Sequence, residues 1–105
     1  MYFLSFCTCP DQPCAAKLAE MLVKQRLAAC VNIIPGVQSV YLWQGELETA
    51  QEHLLVIKSQ QAQLAAIEAA IKAQHPYQTP EIISLAIDGG SAEYLNWIDS
   101  CLHTD

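Results

Sequence analysis

Val31-Asn32-Ile33-Ile34-Pro35-Gly36-Val37-Gln38-Ser39-Val40-Tyr41-Leu42-Trp43-Gln44-Gly45-Glu46-Leu47 is the stretch that decides the fold. From Leu27 to Trp43 the chain is apolar and β-branched, which suits a strand. Pro35-Gly36 interrupts it. Proline cannot donate to a ladder and glycine permits a bulge, so one long strand bent at Pro35-Gly36 is expected. Gln44-Gly45-Glu46 reads as a tight turn. A second long strand, Leu47–Ser59, returns from it. Its first half carries Glu48, Gln51, Glu52 and His53; its second half, Leu54-Leu55-Val56-Ile57, is wholly apolar. Val37–Ile57 is therefore a long hairpin, half in the core and half projecting.

Upstream, Tyr2–Thr8 is short and almost continuously apolar, as in a strand buried on both faces. Asp11 is placed to cap a helix, and Pro13 is tolerated in its first turn. Ala15, Leu18, Ala19 and Leu22 recur at helical spacing, so this helix is expected to run to about Arg26. Downstream, Ser59 is expected to cap a second helix, Gln60–Gln74, with Leu64, Ile67 and Ile71 as its buried stripe. Glu81–Ile87 reads as a fourth strand. Asp88-Gly89-Gly90 turns the chain, and Ser91 is placed to cap a last helix carrying Tyr94, Leu95, Ile98 and Leu102. The tail His103-Thr104-Asp105 is expected to be loose. The order βαββαβ plus a C-terminal helix is the ferredoxin-like arrangement of the α+β class: an antiparallel four-stranded sheet with two helices on one face. All 105 residues form a single domain.

Composition narrows the function. Hydrophobic residues make up 52% and charged residues 15%, against a usual charged share of about 25%. The other face of the sheet would be bare and apolar, and covering it with further copies of the chain would account for the excess, so an oligomer is expected. The net charge is −6, and the five basic residues are scattered. Binding to nucleic acid or to anionic membranes is not expected from such a chain. Five cysteines at irregular spacing make a poor disulfide framework. Nothing reads as a signal peptide or a membrane span. Free thiols in a cytoplasmic location are the expectation.

The residues with chemistry cluster in two places. In His75-Pro76-Tyr77-Gln78-Thr79-Pro80-Glu81, Pro76 pushes His75 out of helical conformation and so ends the second helix. Two prolines leave the loop few conformations, so it can present His75, Tyr77 and Gln78 in fixed directions, or simply connect helix to strand. Cys7-Thr8-Cys9 has C-x-C spacing at a strand end. Such thiols could bind a soft metal, but Cys7 and Cys9 share a side only if the strand continues through Cys9. Free cysteine is commonly buried, and Cys14, Cys30 and Cys101 are expected to be so. Cys7 with His75 makes two donors; a third would come from another subunit, from water or from Cys9. His53 and His103 cannot be placed near them. Tyr41 and Trp43 would line a cleft or anchor a subunit contact. No catalytic motif is present.

Taken in order, Cys7-Thr8-x-Pro10-Asp11, Leu27-Ala28-Ala29-Cys30-Val31-Asn32-Ile33-Ile34-Pro35-Gly36, Tyr41-x-Trp43-x-Gly45-x-Leu47-Glu48, His75-Pro76-Tyr77-x-Thr79-Pro80-Glu81 and Tyr94-Leu95-x-Trp97 resemble the CutA family of divalent-cation tolerance proteins. The resemblance implies a non-enzymatic, ferredoxin-like homotrimer that binds copper or other divalent ions and supports metal tolerance. It implies copper ligands at Cys7 and His75. It also places Gln74 where the family has a further histidine, and glutamine is a poorer ligand for such metals. The likeness of these trimers to nitrogen-regulatory signalling proteins implies an alternative: a binding module with a small-molecule cleft between subunits. Tyr41, Trp43, Lys58, Tyr77, Gln78 and Glu81 are the lining expected for that cleft.

Overall fold

The computed structural model describes residues 1–102; the tail expected to be loose lies outside the described residues. Strand β1 (Tyr2–Cys9) leads into helix α1 (Gln12–Lys24), then β2 (Cys30–Trp43) and β3 (Glu46–Gln60). A 3₁₀ turn (Gln61–Gln63) precedes α2 (Leu64–Gln74); β4 (Ile83–Ala86) and α3 (Ala92–Cys101) close the chain. The sheet is antiparallel with strand order β2-β3-β1-β4.

The hairpin behaves as its sequence predicts. Ile34 pairs with Leu54 and Val37 with Glu52, so β2 carries one residue more than β3 between these pairs. This is a bulge at Pro35-Gly36, and Gly36 takes φ +74°, a conformation that favours glycine. An extra residue reverses the alternation of the strand. Before the bulge Ile34 faces the same side as Leu54; after it, Ser39, Tyr41 and Trp43 face the same side as Ala50, Glu48 and Glu46. At the tip Trp43 pairs with Glu46, and Gln44 and Gly45 both have positive φ, as a two-residue turn matched to strand twist requires.

Asp11 accepts a hydrogen bond from the Cys14 amide (2.9 Å) and Ser91 accepts one from the Tyr94 amide (3.4 Å), so both capping expectations hold. Ser59 does not cap α2. It is fully buried in β3, where its hydroxyl donates to the Leu27 carbonyl at 2.6 Å. The first helix stops at Lys24, short of Arg26, because Arg26 adopts a left-handed conformation (φ 58°) and the Leu22 carbonyl accepts from the Leu27 and Ala28 amides. The fourth strand starts at Ile83, so Glu81 lies in the preceding loop.

Helices α1 and α2 cover one face. Cys7, Cys9, Leu55 and Ile57 from the sheet meet Leu18, Leu22, Ile67 and Ile71 from the helices, all at 0–1% exposure. Burying one such aliphatic side chain is worth about 1.5–3 kcal/mol relative to leaving it in water. The opposite face is only partly covered. Ile98 and Leu102 pack with Ala29 and Tyr2 at one end, where the Tyr2 hydroxyl donates to Asp99 (2.6 Å). Ile34, Ile83 and Leu85 are left about half exposed. Cys14, Cys30 and Cys101 are half-buried, not buried as expected, because they lie at element ends: the first turn of α1, the start of edge strand β2 and the end of α3.

Candidate functional site

Alternation along β1 sets the site. The strand runs through Cys9, so Cys7 and Cys9 point to the helix-covered side and Thr8 to the other. The α2 helix ends at Gln74 with His75 in extended conformation (ψ 137°), as the following proline dictates. His75 is thereby carried to β1, only 7% exposed, while Gln74 remains in solvent.

Among the described residues, the one group of three or more potential metal donors is Cys7, Cys9 and His75, whose ligand atoms lie within 4.8 Å of one another, all buried. Cys9 thus stands where sequence left a third donor open; Pro10 had made it uncertain that the strand reached that far. His53, which sequence could not place, pairs with Cys9 across β1 and β3. Its Nδ1 is buried and has no hydrogen-bond partner.

Two thiols and an imidazole are a soft donor set that suits Cu(I) or Zn(II). They are already engaged with the protein. The Tyr77 amide donates to His75 Nδ1 at 3.1 Å, so Nδ1 carries a lone pair and the proton of the neutral ring sits on Nε2, which donates to the Thr8 carbonyl at 2.8 Å. The Cys7 thiol donates weakly to the same carbonyl (3.8 Å). A hydrogen bond with Cys7, followed by burial, pushes the Cys9 thiol far above its ordinary range. Burial and the nearness of Cys9 push Cys14 up to about 11. The residues fit a soft metal, provided that it displaces thiol protons and takes a ring nitrogen from its present partner.

On the other side of Thr8 lies a cleft of about 870 Å³, lined by Thr8 and by residues of the projecting hairpin and the two-proline loop. Of the expected lining residues it brings together Tyr41, Trp43, Tyr77, Gln78 and Glu81. Lys58 is elsewhere. It stands six positions along β3 from Glu52, roughly 20 Å at strand rise, and its ammonium lies against the Tyr94 ring (5.6 Å) and hydroxyl (3.4 Å). Sequence reasoning missed Glu48 and Glu52 as lining. Glu52 is 7% exposed and accepts a 2.8 Å hydrogen bond from the Tyr77 hydroxyl. Burial and that bond raise the Tyr77 pKa above its ordinary value. The signal for Glu52 was its facing partner across the bulge, legible only once the register is known.

The model of the CutA1 divalent ion tolerance protein family matches residues 3–101. A divalent-cation tolerance protein CutA of Pectobacterium atrosepticum is 45% identical over 96 residues, which are 91% of this chain and 87% of that one. A chloroplastic CutA 1 of Oryza sativa is 43% identical over 89% of this chain, which spans about half (52%) of that protein. The solved Cut A1 of Thermus thermophilus superposes with a TM-score of 0.95 at 42% identity, covering 98% of this chain and all of that one. A CutA of Archaeoglobus fulgidus, described as periplasmic, gives a TM-score of 0.95 at 35% identity, over 98% of this chain and 100% of that one. These relatives overturn the expected cytoplasmic location: one is chloroplastic and one periplasmic, so free thiols and family membership do not indicate the cytoplasm. Fold, motifs and relatives agree that the chain belongs to the CutA1 divalent ion tolerance family.

Proposed function

We propose that the protein is a non-enzymatic metal-binding member of this family, taking up a soft or borderline ion, Cu(I), Cu(II) or Zn(II), in support of metal tolerance. The observation that carries the reading is the buried group Cys7, Cys9 and His75, with donor atoms within 4.8 Å. Cys7 and Cys9 would supply thiolates and His75 a ring nitrogen, and this donor group would be the sink for excess metal. Gln74 is exposed and does not belong to this donor set. Because thiolate is the ligand form, uptake releases protons and weakens as pH falls. Isothermal titration of reduced protein with Cu(I) and Zn(II) tests the reading. Saturable binding that Cys7→Ala and His75→Ala each weaken about ten-fold or more is expected. No binding tighter than about millimolar, or variants that bind as the parent does, would refute it.

The same proposal includes self-association as a homotrimer. It is supported by the incompletely covered sheet face, with Ile34, Ile83 and Leu85 about half exposed, and by Val40, Leu42 and Leu47 exposed on the hairpin. Light scattering at micromolar concentration should give three times the chain mass; a monomer would remove this part.

A second reading, a signalling or binding module with a small-molecule cleft between subunits, is favoured by one observation: within one chain, the two-proline loop and the hairpin already enclose a volume of about 870 Å³ that a neighbouring subunit would complete. A thermal-shift screen of small metabolites tests it, since a ligand of the native state raises the melting temperature. Silence across the screen counts against it.

A further inference from the structure

Among the described residues, two buried side-chain polar atoms have no hydrogen-bond partner: Asp99 Oδ1 and His53 Nδ1. The other Asp99 oxygen accepts from the Tyr2 hydroxyl, so that carboxyl is partly satisfied. His53 Nδ1 is not. A buried nitrogen with its bonding unmet costs about 1–3 kcal/mol, and native chains seldom carry one unless an ion or a trapped water answers it. The atom is sealed within a single chain, so neither bulk water nor a neighbouring copy reaches it.

Its place in the sheet says which ion. His53 and Cys9 are direct partners across β3 and β1, and Cys7 partners Leu55, two residues further along β3. Direct partners share a face, with Cβ atoms about 4.5–5.5 Å apart. His53 therefore stands beside Cys9 on the helix-covered side, the side of Cys7, Leu55 and Ile57; the sheet face proposed for self-association is the opposite one. A tetrahedral zinc ion, with Zn–S about 2.3 Å and Zn–N about 2.0–2.1 Å, holds its donors about 3.5–3.8 Å apart. Cys7, Cys9 and His75, within 4.8 Å of one another, offer three corners of such a site. His53 is not within that distance of all three. It comes in by turning about its side-chain bonds, a movement that takes Nδ1 out of an unsatisfied position and breaks no bond that it makes.

We infer that His53 is the fourth ligand, through Nδ1, and closes Cys7, Cys9 and His75 into a two-sulfur, two-nitrogen site selective for Zn(II) over Cu(I). The inference rests on the metal-binding reading above and names the ion and its last ligand. A closed tetrahedral shell of two sulfurs and two nitrogens suits zinc and holds it without an open position. Cu(I) is selected by the soft thiolates, so a second imidazole adds little to its binding. Such a site stores its ion and leaves no position for a substrate.

The test compares the parent with His53→Leu and with Cys14→Ser, since Cys14 also lies beside Cys9 and would add a third sulfur instead. Each protein, phosphine-reduced and metal-free, is titrated with Zn(II), with Co(II) and, without oxygen, with Cu(I). The parent should give the intense visible absorption of tetrahedral cobalt. His53→Leu should lose that intensity and bind Zn(II) about a hundred-fold more weakly, with Cu(I) affinity changed by less than about three-fold. Cys14→Ser should match the parent. Without metal, His53→Leu should unfold no lower than the parent, because it removes a polar atom that has no partner. X-ray absorption of the parent's Zn(II) complex counts imidazoles without any variant, and two are expected. One imidazole, parent-like Zn(II) affinity in His53→Leu, an equal loss of Zn(II) and Cu(I), or a cobalt spectrum lost in Cys14→Ser overturns the inference. If the parent binds metal through Cys7, Cys9 and His75 in those cases, the metal-binding reading survives. If the parent binds none of the three ions, both fail.

Discussion

The buried thiol–imidazole group and the acidic aromatic cleft are separated by one residue of β1. Cys7 and Cys9 face the helices; Thr8 between them faces the cleft. One loop serves both: His75 closes on the thiols, and Tyr77, two residues on, closes on Glu52. The two regions nevertheless offer opposite chemistries. The first is a buried set of soft donors, with its imidazole held by a carbonyl and an amide. The second is lined by carboxyl groups and aromatic rings. A single β-strand can therefore carry two unlike sites, because alternation assigns its residues to two different environments.

The contrast can be broken most strongly from the core. Leu55 is fully buried and pairs with Cys7. Leu55→Ala should lower stability by about 2–5 kcal/mol in urea unfolding. Leu42→Ala, on the exposed hairpin (70% accessible), should change the stability of the dissociated chain by less than about 0.5 kcal/mol. A comparable loss in the dissociated chain would mean that the hairpin is as deeply packed as the core; a loss confined to the assembled protein is what the proposed trimer contact predicts.

His75→Ala is the next largest change. It removes both ring bonds, taking the acceptor from the Tyr77 amide and leaving the Thr8 carbonyl the weak Cys7 thiol bond, at a cost of about 2–3 kcal/mol. Tyr77→Phe removes only the donor to Glu52, and a cost of about 1–2 kcal/mol is expected. If Tyr77→Phe proves the more harmful, the loop is anchored from the cleft side and not from the thiol side.

The pH dependence sharpens the same comparison. The Cys9 and Cys14 thiols and the Tyr77 hydroxyl all have raised pKa values. For each, the folded state holds its proton more tightly than the unfolded chain. Their contribution is full below the unfolded value and is lost as pH rises; for Cys14 the window runs from 9.0 to about 11. Stability followed by denaturant midpoint should therefore fall above about pH 9. Cys9→Ala should flatten part of that fall, because the donor-rich side contributes to it. A parallel curve for Cys9→Ala would place the loss with Cys14 and Tyr77 instead.

Much of this was legible in the sequence, for identifiable reasons. The hairpin, its bend and its turn follow from Pro35-Gly36 and Gln44-Gly45, where backbone constraints are local. The two caps at Asp11 and Ser91 are local as well. Ser59 misled because a serine before a helical stripe is indistinguishable from a buried strand residue that bonds a distant carbonyl. Glu52 and Lys58 misled in a related way. Which strand residues reach the cleft depends on register across the bulge and on distance along β3, both set by tertiary pairing. Cys9 was left open because Pro10 can end a strand either before or after it. The compartment was inferred from free thiols and from the want of a legible signal peptide or membrane span, and the relatives show that these cues do not fix it.

Metal coordination tests the reading of the site most directly. Reduced protein loaded with one equivalent of Zn(II) and examined by X-ray absorption should show two sulfur scatterers at about 2.3 Å with nitrogen or oxygen completing the shell. Cys9→Ala should reduce this to one sulfur. A shell of nitrogen and oxygen alone, or two sulfurs that persist in Cys9→Ala, would contradict the assignment of Cys7, Cys9 and His75 as the metal-binding group.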